Sequence, residues 1–224
     1  MSFLSKVRGY EYFEKKVEPE VDREIASRVR RFYLPAEAET TIIFLDDYPP
    51  ILEEHQLQIN GDWRNWFTCR KVVDEHCPLC AAQYRQDTVG FWTIIDESEW
   101  TNDDGEVIKN QRKLFPAKYS VIKQLRKASQ KLREEGFKDG LKYARFTVRR
   151  TSSRAANCGD VFHYEGHLTE EELLKLVGDP ELIQPFDYEQ ILAPKSIAEL
   201  EAVLASQRAE QGSSEFSDED DVEF

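Results

Sequence analysis

Apolar positions along this chain recur in two distinct periods. Val21, Ile25, Val29 and Phe32 fall at helical spacing, with Arg23, Arg28, Arg30 and Arg31 on the other faces, so residues 20–33 predict an amphipathic helix. Thr40-Thr41-Ile42-Ile43-Phe44-Leu45 predicts a buried strand, ended by Asp46-Asp47-Tyr48-Pro49-Pro50. Residues 54–60 and 64–69 predict two shorter strands turning at Asn60-Gly61-Asp62. Val89 to Ile95, rich in aromatic and β-branched side chains, predicts another strand, followed by a turn at Asn102-Asp103-Asp104-Gly105. Across 120–134 the period returns to helical: Val121, Leu125, Ala128 and Leu132 form the stripe to be buried. Tyr143 to Arg150 and Val161 to Glu165 then read as a hairpin around the polar loop Thr151 to Asp160. In its first strand Phe146 and Val148 point one way, and Arg145, Thr147 and Arg149 the other.

Beyond this hairpin the pattern changes. Thr169 with Glu172 is a capping box that opens a short helix, and Gly178 closes it. Ser196 with Glu199 opens another, from Ile197 to about Arg208. From Gln211 onward there is no periodicity, only an acidic, low-complexity end of the kind that stays disordered. The implied fold is mainly β with flanking helices (α+β). Five or six short strands, with a helix before the last two, suit an OB-type Greek-key barrel, a fold that binds oligonucleotides across one face. The expected organisation is an N-terminal arm and helix over 1–34, a core over 35–167 and a helical extension over 168–210. An acidic tail over 211–224 completes it.

Charge sharpens this picture. The 224 residues carry a net charge of -13, but unevenly. Residues 1–160 hold 27 basic and 26 acidic groups, whereas residues 161–224 hold 3 and 17. Within the first part, residues 109–154 carry 15 basic and 3 acidic groups. Binding follows the local field, so this strip can meet phosphates although the whole chain is acidic. No apolar run is long enough to cross a membrane, and Met1 to Tyr10 lacks the apolar stretch of a signal peptide. The expected location is cytoplasmic, where thiols stay reduced and a C-x-x-C pair more often binds metal than forms a disulfide.

Three of the four cysteines lie within twelve positions: Cys69, Cys77 and Cys80. Cys77-Pro78-Leu79-Cys80 is a C-x-x-C knuckle, which lets two thiolates grip one ion from a tight turn. With His55 upstream, the four are separated by thirteen, seven and two residues. The expected site is therefore structural zinc held in a subdomain of about 54–82. His76 competes with His55 for the fourth position; His55 is preferred because neighbours in a knuckle rarely both reach one ion. Cys158 stands alone in a polar loop and is expected to be free. Catalysis is disfavoured. Zinc deaminases pair H-x-E with P-C-x-x-C, whereas here Leu57 follows His55 by two and proline lies inside the knuckle. Four protein ligands would leave no position for water.

The basic strip interleaves with Phe115, Tyr119, Tyr143 and Phe146, a mixture suited to single-stranded nucleic acid, where bases stack and cations take phosphates. The expected phosphate ligands are Arg112, Lys113, Lys118, Arg145, Arg149, Arg150 and Arg154. Tyr119, Tyr143 and Trp92 are the expected stackers, and Trp63, Trp66, Phe91 and Phe162 are further aromatic candidates. His55, Cys69, Cys77 and Cys80 in this order, with a terminal acidic tail, resemble the zinc-containing single-stranded-DNA-binding proteins of tailed bacteriophages, such as the helix-destabilising protein of T-even phages. The resemblance covers roughly residues 35–165 and the tail. It implies a zinc-bearing OB core that binds single-stranded DNA without sequence specificity in replication, recombination and repair, in the cytoplasm of an infected bacterium. It also implies that Asp218, Glu219, Asp220, Asp221 and Phe224 recruit partner enzymes and shield the groove. Lys6, Arg8, Lys15 and Lys16 would form the cooperative arm. Two other readings share the same residues: a zinc-stapled protein-interaction adaptor, and an RNA-binding regulator.

Overall fold

The computed structural model describes residues 29–73, 76–101 and 104–214, with side chains as far as Arg208. The N-terminal arm, most of the expected helix over 20–33, Asn102 and Asp103, and the tail residues Asp218, Glu219, Asp220, Asp221 and Phe224 lie outside these residues. The architecture is mainly antiparallel β with a few helices. Nine strands are described: β1 (Glu39–Phe44), β2 (Ile51–Ile59), β3 (Asp62–Thr68), β4 (Gln86–Asp96), β5 (Trp100–Thr101), β6 (Val107–Ile108), β7 (Gln111–Lys118), β8 (Ala144–Arg149) and β9 (Val161–His167). The helices are α1 (Pro78–Ala81), α2 (Tyr119–Glu134), α3 (Glu170–Val177), α4 (Tyr188–Ile191) and α5 (Ile197–Ser214).

The chain divides into two compact units. One runs to Ile51 and resumes over Thr88–Leu192; the other is Leu52–Asp87 with the chain from Ala193 on.

In the larger unit the strands run in the order β7-β4-β1-β8-β9, every neighbouring pair antiparallel. β4 is the hub. Its Asp96, Ile95 and Ile94 face Ile42, Ile43 and Phe44 of β1, while Val89 to Asp96 face Lys118 to Gln111 of β7. Alternation along the strands gives the sheet two apolar faces. On one face Phe44, Trp92, Phe115 and Phe146 meet edge to face, with centroids 5.6–6.4 Å apart. Helix α2 seals this core with Val121, Ile122, Leu125 and Leu132. On the opposite face Ile43, Leu45 and Ile95 pack against Leu173 of α3 and against Ile183.

The structure differs from the sequence reading at three points. The sequence pattern does not predict β7, because Arg112, Lys113, Pro116 and Lys118 obscure its alternation. And no ladder joins β9 to β7 among the described residues, so no closed barrel is found there. The outer edge of β7 is engaged differently. Phe32 N–H donates to Leu114 O at 2.7 Å and Leu114 N–H to Arg30 O at 2.9 Å, a short parallel bridge at Arg31. Residues 29–33, the end of the expected helix, are therefore not helical.

Asp46 and Asp47, which the sequence presents as turn residues, are structural acids. Asp47 accepts from Ser129 Oγ and Leu141 N–H, both at 2.6 Å, and pairs with Arg133 at 2.5 Å. It thereby ties the end of α2 to the turn at Gly140, whose φ of +57° and lack of a side chain leave Oδ1 its room. Asp46 Oδ2 accepts from Tyr188 Oη–H at 2.5 Å and Thr93 N–H at 3.0 Å. Thr93 Oγ1 in turn meets Tyr188 Oη at 2.8 Å and accepts from Phe186 N–H at 3.0 Å. These bonds fasten the segment around α4 onto β4.

The smaller unit is a hairpin, β2 and β3, with a one-turn helix and α5. Asn60 and Gly61 both adopt positive φ, 51° and 76°, the geometry of a tight hairpin turn. Its core is small: Leu57, Phe67 and Leu79 with Leu200 and Leu204 of α5, closed by Cys69 and Cys77. No helix among the described residues is long and apolar enough to cross a membrane.

Candidate metal centre and nucleic-acid surface

The hairpin delivers the first two donors of the smaller unit's polar centre. His55 lies in the middle of β2, opposite Phe67, and is fully buried; Cys69 follows the last residue of β3. Cys77 is the N-cap of α1, Pro78 occupies its first turn, where a missing N–H costs nothing, and Cys80 ends that turn. The knuckle is thus a helical turn that aims two sulfurs the same way.

The four ligand atoms all lie within 4.8 Å of one another. His55 Nε2 is 3.5 Å from Cys80 Sγ and 3.7 Å from Cys77 Sγ, and the Cys69 and Cys80 sulfurs are 3.5 Å apart. Zinc–sulfur and zinc–nitrogen bonds in a tetrahedron give edges of about 3.5–3.8 Å. Donor type and spacing are therefore compatible with zinc. His76 is exposed and outside the group, so the fourth donor of the cluster is His55.

Surrounding groups orient these donors. Arg85 O lies 3.1 Å from His55 Nδ1, which places the proton there and leaves Nε2 facing the sulfurs. Gln86 Nε2 donates to Cys80 Sγ at 2.9 Å and to Cys69 Sγ at 3.1 Å. Burial pushes the Cys80 thiol up to about 12, with Cys69 and Cys77 adding to the rise, and burial also raises Cys69. At Cys77 burial acts upward too, but the amides of Cys80, Arg70 and Leu79 hold the thiol below its ordinary value. Burial lowers His55, favouring the neutral, ligating ring. Thiolates packed this closely would need a cation among them, which a divalent metal ion held by the four donors would supply. Neither Arg85 O nor Gln86 carried any signal in the sequence. Cys158 is free, as expected, but buried in the main core, and burial lifts its thiol to about 12.

The expected nucleic-acid contacts in the larger unit divide sharply. Trp92 is buried in the aromatic core, with its indole N–H toward Asp47 O at 3.4 Å, and cannot stack on a base there. Arg150 is buried as well: it donates to Leu34 O at 3.0 Å and Ser153 O at 2.9 Å. Lys113 pairs with the buried Asp96 at 2.6 Å, and Arg145 with Glu97 at 2.5 Å. Arg112 donates to Glu181 O and Gln184 O and lies 4.4 Å over the Phe186 ring. Tyr143 is half-buried at a φ of +67°, packed against the core cluster of Ile43, Leu45, Ile95, Leu173 and Ile183. Burial removes Trp92 and Arg150 from any groove surface, while Lys113, Arg145, Arg112 and Tyr143 are partly exposed and engaged within the fold. Lys118, Tyr119, Arg149 and Arg154 are exposed. Of the further aromatics Phe91 is buried, Phe162 packs on the core and Trp63 is exposed.

No protein-family model matches this chain, and a comparison with curated proteins finds no significant match.

Proposed function

We propose that this chain binds single-stranded DNA without sequence specificity and without catalysing a reaction, in replication, recombination or repair. The observation that carries the reading is an exposed surface of the larger unit on which cations predominate, although Lys131 also pairs with Glu135. Helix α2 presents Lys123, Arg126, Lys127 and Lys131 to solvent and has no acid in its first turn. Lys118, Arg149 and Arg154 are exposed beyond it, together with Tyr119, 64% exposed. Cations beside an exposed aromatic suit a flexible strand, whose bases can reach the ring; a duplex keeps its bases stacked inside.

Two further observations support it. The strand order β7-β4-β1-β8-β9, with α2 between β7 and β8, is consistent with an opened OB-type sheet. The cluster of one histidine and three cysteines fits structural zinc: all four positions are filled by protein, so the ion adds folding stability and no open site for chemistry. The acidic tail, residues 215–224, competes with DNA for the cationic surface and recruits partner proteins.

A strand-selective binder lowers the melting temperature of an A·T-rich duplex, because it captures the separated strands. That depression is expected at low salt, and a chain lacking residues 215–224 is expected to deepen it. A raised melting temperature would reveal a duplex binder and overturn the reading.

A further inference from the structure

We infer that a single strand crosses the larger unit over the end where β7 passes into α2 and the β8–β9 loop begins, with Tyr33 and Tyr119 as the stacking residues and Lys118, Lys123, Arg149 and Arg154 toward the phosphates. The inference rests on the single-strand reading above and assigns its track.

The first ground is exclusion. Small barrels of this strand order take oligonucleotides on the face corresponding to β4 and β7. In this chain the segment from Glu181 to Tyr188 lies on that face: Arg112 is bound by its carbonyls and by Phe186, and Thr93 by Tyr188 and by Phe186 N–H. The buried Tyr188–Asp46 bond makes this covering part of the fold. A strand must go elsewhere.

The second ground is what remains exposed. Tyr33 and Tyr119, 61% and 64% exposed, are the most exposed aromatic rings among the described residues of the larger unit. They are also close in the fold. The parallel bridge of Arg31 with Leu114 brings the segment that carries Tyr33 onto the strand that runs into Tyr119.

The third ground is the loop between β8 and β9, which is built to stand at this end. Leu34 N–H donates to Asn157 O at 2.8 Å, and Lys118 stands close enough to Cys158 to act on its thiol. Arg150, although buried, is the positioning residue. Its guanidinium holds Leu34 O and Ser153 O, reaches Tyr33 Oη at 3.3 Å and lies 5.6 Å over the Tyr33 ring. One cation thus fixes both Tyr33 and the segment that carries Arg154. The loop's own acid is turned to local use: Asp160 accepts from Thr151 N–H at 2.8 Å and Thr151 Oγ1 at 2.5 Å, closing the loop. Lys123 Nζ lies 5.2 Å over the Tyr119 ring, so a base on that ring and a phosphate on that cation would be neighbours.

The test uses the full chain and fluorescent oligothymidine. In the double variant Tyr33→Ser, Tyr119→Ser the affinity is expected to fall at least about tenfold, the size of lost base–aromatic stacking. The slope of affinity against salt is expected to stay as in the wild type, because no phosphate contact is lost. Tyr33→Phe, Tyr119→Phe keeps both rings and is expected to restore binding. If the wild type binds tightly and the serine variant binds equally well, the inference is overturned while the single-strand reading stands. Loss that phenylalanine does not restore, or that comes with a lowered melting temperature, overturns it too, by showing a structural role. If the wild type itself does not prefer single strands, the reading fails first.

Discussion

Replacing Cys77 with serine is expected to abolish metal binding by the His55, Cys69, Cys77 and Cys80 cluster and to unfold the unit around Leu52–Asp87. The size of the effect follows from how little else holds that unit. Its core is Leu57, Phe67, Leu79, Leu200 and Leu204, and two of the remaining buried members are the ligands Cys69 and Cys77. So few apolar side chains cannot offset the ordering entropy of a hairpin and a knuckle. Structural zinc supplies about 10–16 kcal/mol of apparent binding energy at neutral pH, and in small metal domains that is folding energy. Losing one of three thiolates leaves two packed sulfurs and a buried imidazole without their cation. Zinc content is expected to fall from about one ion per chain toward none, with loss of amide exchange protection across β2 and β3. His76→Ala is the control; that residue is exposed and outside the cluster, so metal and protection are expected to stay. Full exchange protection in a metal-free Cys77→Ser chain would show that apolar packing alone holds the hairpin.

The second large effect lies in the other unit, at Asp46. Burial lifts its carboxyl to about 7 from an ordinary 3.8, even though Tyr188 and Thr93 donate to it. Oδ1 is buried with no hydrogen-bond partner, a position in which a proton is less costly than a charge. The sign follows from linkage. Between about pH 4 and pH 7 the folded chain holds this proton and the unfolded chain has lost it, so stability falls as pH rises through that window. The contribution is fully present below the unfolded value and gone above about pH 7, a loss on the order of 4 kcal/mol. Asp46→Asn keeps an oxygen for Tyr188 and Thr93 and cannot ionise. The fall contributed by Asp46 is expected to be missing from its profile, so its stability changes less unfavourably with rising pH than the wild type's and is higher at pH 8. Denaturant unfolding at a series of pH values measures both chains. An Asn variant that keeps the wild-type slope would place the titrating group elsewhere.

Both sites show what a linear sequence conveys. The metal cluster was legible because ligand chemistry is local: a C-x-x-C turn aims two sulfurs one way whatever surrounds it, and a strand pair adds the other donors. The groups that tune it, Gln86 and the Arg85 carbonyl, were not legible, since their roles depend on where β4 begins. Strands with clear alternation were read well; Phe146 and Val148 are buried and Arg149 exposed, as the period of two requires. β7 was hidden by Pro116 and its cations. Lys113 is spent on the buried Asp96 and Arg112 on the carbonyls of Glu181 and Gln184, and composition cannot separate such a cation from one that is free to meet a phosphate. Trp92 failed as a stacker for a related reason. Alternation tells which residues share a face, not whether that face is covered, and both faces of β4 are covered in this fold.

The most direct measurement is the binding of fluorescent oligothymidine, and of a duplex of equal length, titrated across salt. The account expects tight binding of the single strand that persists at moderate salt, because stacking on exposed rings does not depend on counterion release, with the duplex far weaker. Equal, weak and steeply salt-dependent binding of both would contradict it and reduce the cationic face of α2 to a charged surface for an acidic protein partner.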